Sequence, residues 1–342
     1  MTNDPLTPGS AGHSPRAGWL GGGRRTAQIA LGIAISGALL WLTLRQIDLT
    51  NTAQTLRSAR WWFLVPAVIT YYCDLAVRSW RWSVLLSPVR ALSWHETFPA
   101  ITIGYMGNML LPARLGELLR AAALARRGIP AVSAVGGVAT ERVLDGLTTV
   151  GILLVFSRFL ATPAWVGAGT ATLSVLFLGA LLALVLLLAF RARVLTWAEV
   201  LGRRLHWAGK LLVWADQFLQ GLVALRRPGV LLRAIAIGFL AWSLSALEYY
   251  WIFRALDLPL GAAESLFAVA AIGLSTVIPS APGYVGTMEF AGVAVLGVLG
   301  VTPSTAFSAI ILVHLLQVVP VTPVGLFYAW REGVSFSRTV RG

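Results

Sequence analysis

The sequence predicts an all-α polytopic membrane protein, with six full spans and two re-entrant helical hairpins arranged as inverted repeats. Three observations carry that expectation. The 342 residues are 57% hydrophobic and only 12% charged, against about 25% charged in a soluble domain. Apolar runs of about 20 residues, the length a bilayer core requires, recur along the chain. Two shorter runs of about 14 residues each lead into proline-broken stretches that carry charge. A membrane tolerates such backbone only where protein or a polar cavity surrounds it.

Residues 1–23 are rich in Pro, Gly and Ser, and are expected to form a disordered tail. Arg24 and Arg25 introduce the first span, 26–44. Its apolar region is longer than that of a cleaved signal peptide and no small-residue cleavage site follows it, so a retained span is expected. A polar connection, 45–60, leads to the second span, 61–86, which opens on the interfacial pair Trp61 and Trp62. Asp74, Arg78 and Arg81 share one face of that helix. The first short run, 98–111, returns over 116–127; Gly104, Gly107 and Asn108 are expected to weaken its helix and Pro112 to break it.

Span three, 134–156, holds Glu141, Arg142 and Asp145, and span four, 166–190, holds no charge and should face lipid or form a packing wall. Residues 191–227 alternate arginines and Lys210 with Trp197, Trp207 and Trp214, the pattern of a basic amphipathic segment at the cytoplasmic surface. Span five, 230–253, carries Glu248. The second short run, 265–278, returns over 285–299, and span six, 306–330, carries His314 and Gln317.

This order divides the chain into a first membrane repeat, 24–160, a second and inverted repeat, 161–331, and a C-terminal tail, 332–342. Asn108, Pro112 and Gly116 have the same spacing as Ser275, Pro279 and Gly283. Inverted repeats with broken helices are a transporter architecture, with the substrate held between the halves.

The net charge is +13 and the pI near 11.2. In a soluble chain that balance points to nucleic acid. Here the arginines flank apolar runs, as positive-inside topology requires, and a nucleic-acid partner is not expected. Counting them places both termini on the cytoplasmic side of a bacterial inner membrane. Cys73 stands alone, so no internal disulfide forms, and its apolar setting predicts a packing role. No metal-ligand spacing, phosphate-cradling loop or nucleophile elbow occurs, so no metal, cofactor or catalytic residue is predicted.

Three constellations bear the chemistry. In the first, Asn108, Arg114, Glu117 and Arg120 surround the Pro112 break, where free N–H groups and guanidinium groups suit phosphate. The second is Glu141, Arg142 and Asp145, two acids one turn apart, able to face a cavity or to pair with Arg78, Arg81 or Arg114. In the third, Pro279, Pro282, Gly283 and Gly286 interrupt the helix just before Glu289. Glu289 is expected to pair across the repeat interface or to carry a proton. His95 and His206 should be solvated, and His314 should make a helix–helix hydrogen bond.

Taken together, Arg78–Ser–Trp–Arg81–Trp, then Gly107–Asn108 with LLPARLGELLR, then Glu141–Arg142–Val–Leu–Asp145, then PSAPGYVGTME resemble the lysylphosphatidylglycerol synthase transmembrane-region family. The resemblance runs over most of residues 24–331 and implies a flippase-like membrane module. The bifunctional members add a soluble aminoacyltransferase domain; only a short segment follows Trp330 here, so that activity is not expected of this chain.

The expected function is translocation of an anionic or phosphate-bearing lipid through a polar cleft between the hairpins. The expected substrate-binding residues are Arg78, Arg81, Asn108, Arg114, Glu117, Arg120, Glu141, Arg142, Asp145, Pro279, Gly283 and Glu289. The alternatives are an intramembrane lipid-linked transferase using Glu141 with Asp145, and a membrane assembly protein that transports nothing.

Overall fold

The computed structural model describes residues 20–111, 114–157, 159, 163–203, 208–276, 278 and 280–333. Pro112, Pro279, His206 and most of both tails lie outside them. The described residues form helices and no strand. They run as α1 (Leu20–Leu44), α2 (Leu49–Arg57), α3 (Leu64–Leu86), α4 (Trp94–Leu110), α5 (Leu115–Ala125), α6 (Ala131–Phe156) and α7 (Ala164–Ala189). Then follow α8 (Arg191–Arg203), α9 (Ala208–Gly221), α10 (Pro228–Ala255), α11 (Ala262–Ser275), α12 (Thr287–Val298), α13 (Pro303–Val318) and α14 (Val321–Arg331).

Among the described residues, three segments are long and apolar enough to cross a bilayer: Val166–Ala189, Pro228–Ala255 and Pro303–Arg331. A fourth arises if α1 and α2, bent by 84° at Asp48, count as one. Asp48 accepts hydrogen bonds from the amides of Thr50 and Asn51, which caps α2 and sets the new direction. Helices α3 and α6 are 23 and 26 residues long. Each has three charged side chains within its middle turns, so composition separates them from the apolar group although length does not.

Helix α7 has no charge, and only 11% of its apolar window is buried inside the protein. Most of its leucines and valines are exposed, while Val166, Leu184 and Leu188 are buried. Cys73 is exposed, against the expected packing role. It lies one residue, about 100° of helix, from the buried Asp74, so the turn that hides Asp74 swings Cys73 outward.

The two largest of four apolar cores organise the rest. Tyr71, Leu75 and Trp82 of α3 join α4, α5 and the α14 residues Val321 and Ala329 in one. Phe253, Phe267, Leu296 and Ile310 anchor the other, built from α10 to α13. The short helices pack pairwise, α4 on α5 and α11 on α12, while α3 and α10 pack along each other between the cores. Helix α4 also leans on α14, and α11 on α6.

Gly104, Gly107 and Asn108 do not weaken α4, which is continuous through all three. The glycines serve contact instead: an added Cβ on Gly107 would lie 2.7 Å from the Cα of Gly116. Small residues let two backbones approach where lipid gives no hydrophobic drive for association.

At the basic segment, Arg191 of α8 pairs with Asp216 of α9. The hydrogen bond from Arg191, with a second from Gln220, holds the Asp216 carboxyl below its ordinary range. A lowered carboxyl stabilises the folded form above the unfolded group's range, and that stability is lost as pH falls through the folded value. Both side chains are at least a third exposed, so solvent screening keeps the pair below about 1 kcal/mol. Asp216→Asn should therefore leave global unfolding nearly unchanged and abolish the acid-induced loss of amide-exchange protection in α8 and α9. Undiminished acid sensitivity in the variant would show that another group is responsible.

Candidate functional site

The site grows from the α3–α10 interface. Tyr71, Asp74 and Arg78 recur on the buried face of α3 because their spacing follows the helical turn. Arg78 donates to Asp74 at 2.8 Å and to Ser245 of α10 at 2.9 Å, and the Ser245 hydroxyl donates back to Asp74 at 3.2 Å. One turn on, Arg81 is 1% exposed; it donates to the Ala234 carbonyl at 3.0 Å and pairs with Asp145 of α6. Gly238 makes room for it, since a Cβ there would stand 2.9 Å from the guanidinium carbon.

The tips of the two short-helix pairs meet at the far side of the same space. Arg114, the N-cap of α5, has a left-handed backbone with φ 54°. Its guanidinium donates to the carbonyl and hydroxyl of Thr276, just beyond α11, and lies 5.8 Å from the centre of the Tyr284 ring. Gly283, at φ +66° in a 3-10 turn, lies so close to the end of α4 that a Cβ would be 3.0 Å from the Met109 carbonyl. One turn into α5, Glu117 pairs with both Arg120 and Arg142. Asn108 donates to Glu117 at 3.5 Å. Arg120 also donates to Glu141 at 2.9 Å and stacks 4.1 Å over the Trp82 ring.

Glu289 opens α12 as Glu117 opens α5. Its carboxylate accepts from the Gly286 amide at 2.6 Å, and His314 of α13 lies 2.7 Å away. This corrects the expected pairing of Glu289 across the two halves: its partner is on the adjacent helix, where a Glu289–His314 contact needs no long reach. The expected helix–helix bond of His314 is this one. Glu117 with Arg142 and Glu289 with His314 have the same 25-residue separation.

Between these groups lies a cavity of about 370 Å³. Of the residues expected at the site, Arg78, Asn108, Arg114, Arg142 and Asp145 line it. Arg81, Glu117, Arg120, Glu141, Gly283 and Glu289 stand behind that lining, and Pro279 lies outside the described residues. Asp74, Tyr71, Tyr105, Trp242, Glu248 and Tyr284 also line it. A tyrosine or tryptophan in an apolar run is ordinary, and Asp74 and Glu248, though charged, had nothing adjacent in sequence to indicate a shared cavity. Leu176 and Phe177 extend the wall onto α7.

Pairing the ionisable groups around the cavity separates them by role. Asp74 is matched by Arg78, Asp145 by Arg81, Glu141 by Arg120, Glu117 by Arg142, and Glu289 by His314. Among the described residues of the cavity this leaves Arg114 without an acid and Glu248 without a cation. Asp74 Oδ1, Asn108 Oδ1, Glu248 Oε1, Arg142 Nε and Trp242 Nε1 are buried on this lining with no hydrogen-bond partner among the described residues. Buried polar atoms are normally satisfied, so acceptors and donors of this number mark a place for a polar guest.

The family model for the lysylphosphatidylglycerol synthase TM region matches residues 29–325. The chain belongs to this family. It is a membrane protein of that type, and the matched segment contains both short-helix pairs and the whole cavity lining. Two archaeal proteins are similar to it. The Haloferax volcanii protein named glycosyltransferase AglD is 32% identical over 133 residues, 37% of this chain and 21% of that protein. The Methanocaldococcus jannaschii UPF0104 membrane protein MJ1078 is 26% identical over 196 residues, 55% of this chain and 78% of that protein. The chain thus matches only about a fifth of AglD's length. No solved structure matches the chain.

Proposed function

We propose that the protein carries a phosphate-bearing lipid between the leaflets of the cytoplasmic membrane, with Arg114 receiving the phosphate. The observation that carries this reading is the position of Arg114, a cavity cation with no acid of its own, held where the two helix-pair tips meet. Its partners are a neutral carbonyl, a hydroxyl and a ring, which hold the guanidinium without neutralising it. A fork of N–H donors suits phosphate geometry, and the low-dielectric surroundings strengthen the attraction.

Six long segments (α1, α3, α6, α7, α10 and α13 with α14) then serve as spans, and the α4–α5 and α11–α12 pairs as re-entrant hairpins. The inverted-repeat reading is supported by the matched 25-residue separations, Glu117 to Arg142 and Glu289 to His314. The contacts agree with it: α4 on α14 parallels α11 on α6, and α2 on α13 parallels α9 on α6. Two-fold related halves would place α3 and α10 against each other, as they are. The exposed helix α7 supplies Leu176 and Phe177 to the cavity wall, so acyl chains can remain in the bilayer while the headgroup enters.

The transferase reading draws on the name of the AglD relative. It asks Glu141 and Asp145 to act as acid and base, yet each is tied to a guanidinium, Arg120 and Arg81. A carboxylate held in that way is a poor proton shuttle, which favours translocation.

In liposomes carrying acyl-labelled phosphatidylglycerol, purified protein should speed leaflet exchange. Arg114→Gln should slow it at least about tenfold, the effect of losing about 1.4 kcal/mol of headgroup binding. The exposed Arg57→Gln serves as the control and should leave the rate unchanged. Equal exchange by Arg114→Gln and wild type would remove Arg114 from the role, and a chemically altered lipid recovered from the vesicles would favour the transferase.

A further inference from the structure

Glu248 is the acid that the pairing of charges leaves over. It is 3% exposed on the inner face of α10, and its Oε1 has no hydrogen-bond partner among the described residues. We propose that Glu248 is the proton-carrying carboxyl of this protein, taking up one proton when the headgroup enters the cavity and releasing it when the headgroup leaves. The proposal rests on the translocation reading above and names the ion that accompanies the lipid.

Its surroundings decide between a proton and a fixed ion pair. From α3, Tyr71, Asp74 and Arg78 face it, with Asp74 and Arg78 already joined to each other and to Ser245. From α6 the cavity lining brings Asp145, held by Arg81, and Arg142, held by Glu117; from α4 it brings Tyr105. From α11 it brings Val269, Ile272 and Gly273, and from α13 Gln317, none of which titrates. Tyr249 adjoins it on α10. The nearest guanidinium is therefore engaged, and the nearest carboxylate repels a second negative charge.

An unpaired carboxylate in such a place is costly, and binding a proton removes the cost. The cavity opens that carboxyl to exchange, which a fully enclosed side chain would lack. The balance is simple. The carboxyl gives its proton to water as the carboxylate forms, and recovers one from water on the other side. Arg114 and Glu248 line one cavity, so a phosphate arriving at the first alters the potential at the second. The anion's charge raises the affinity of Glu248 for a proton from the side that delivers the lipid; reciprocally, a protonated Glu248 raises the affinity for the anion. Lipid and proton then enter and leave as linked events.

Two measurements test this. The first needs no transport: infrared difference spectra of the reconstituted protein between acid and alkaline pH should contain a buried protonated-carboxyl band. Glu248→Gln should remove that band, and Glu248→Asp should keep it at a shifted position. The second imposes a pH difference of one unit across the vesicles and reads the steady-state leaflet ratio of labelled phosphatidylglycerol. One proton per lipid gives a ratio of about ten for the wild type, since one unit is a factor of ten in proton activity. Glu248→Gln should give about one, and Glu248→Asp should recover part of the wild-type ratio. A carboxyl band that persists in Glu248→Gln overturns the assignment of Glu248. A wild-type ratio of one, with lipid still exchanging, overturns the coupling while leaving translocation intact. A wild type that moves no lipid under either condition overturns the translocation reading, and the coupling with it.

Discussion

Arg120→Met will unfold the protein far more readily than wild type, by about 3–5 kcal/mol, because it leaves buried Glu141 with no cation. Arg120 is 1% exposed and Glu141 2%. Their bond at 2.9 Å, together with the Trp82 ring 4.1 Å from the guanidinium, holds α3, α5 and α6 to one another. Glu117 retains Arg142, so the loss falls on Glu141. The double variant Arg120→Met/Glu141→Met should recover most of the stability, since apolar side chains of similar volume replace a buried ion pair at little cost. Thermal unfolding of wild type, Arg120→Met, Glu141→Met and the double variant in detergent closes the cycle. A single variant as stable as wild type would mean that water reaches Glu141. If the double variant is no better than the single, the packing on Trp82 and not the charge is what matters.

Gly116→Ala has the next largest expected effect, about 2–3 kcal/mol, through overpacking that no side-chain rotation relieves. A Cβ at this position would stand 2.5 Å from the Asn108 amide nitrogen and still closer to the Gly104 carbonyl oxygen. Both obstacles include backbone, so α4 and α5 must separate. The crossing positions Arg114 two residues away, and lipid exchange should fall with stability. Gly151→Ala is the matching control, because no atom lies within 4 Å of a Cβ there. In that open helical position alanine should be neutral or slightly stabilising. If Gly116→Ala melts with wild type, the close approach of the two helices is not what holds the tip.

The α-helical membrane class was legible because hydropathy and length report directly on what a bilayer accepts. The family was legible because its motifs are local: Arg78 with Arg81, Asn108, and the stretch from Arg114 to Arg120. Helix positions could be read for the same reason. The function of Gly104 and Gly107 could not, since a glycine that weakens a helix and a glycine that admits a neighbour look alike in sequence. Cys73 and Asp74 differ by one residue and by opposite faces, a distinction that needs the helix's packing partners. Asp74 and Glu248 stood out as charges in apolar runs, but nothing adjacent to them indicated a shared cavity.

By itself the sequence determined that this chain enters a membrane as helices, and which acids and guanidinium groups fall within or beside its apolar runs. Only the tertiary structure decided how those charges are shared. Arg81 finds Asp145 on another helix, Arg78 finds Ser245 across the α3–α10 interface, and Arg114 reaches Thr276 beyond α11. The physical reason is that in a low-dielectric interior a charge's role depends on what lies within a few ångströms of it, and those neighbours come from distant parts of the chain. That pairing joins four carboxylates to four guanidinium groups and Glu289 to His314, and leaves Arg114 and Glu248 facing one cavity.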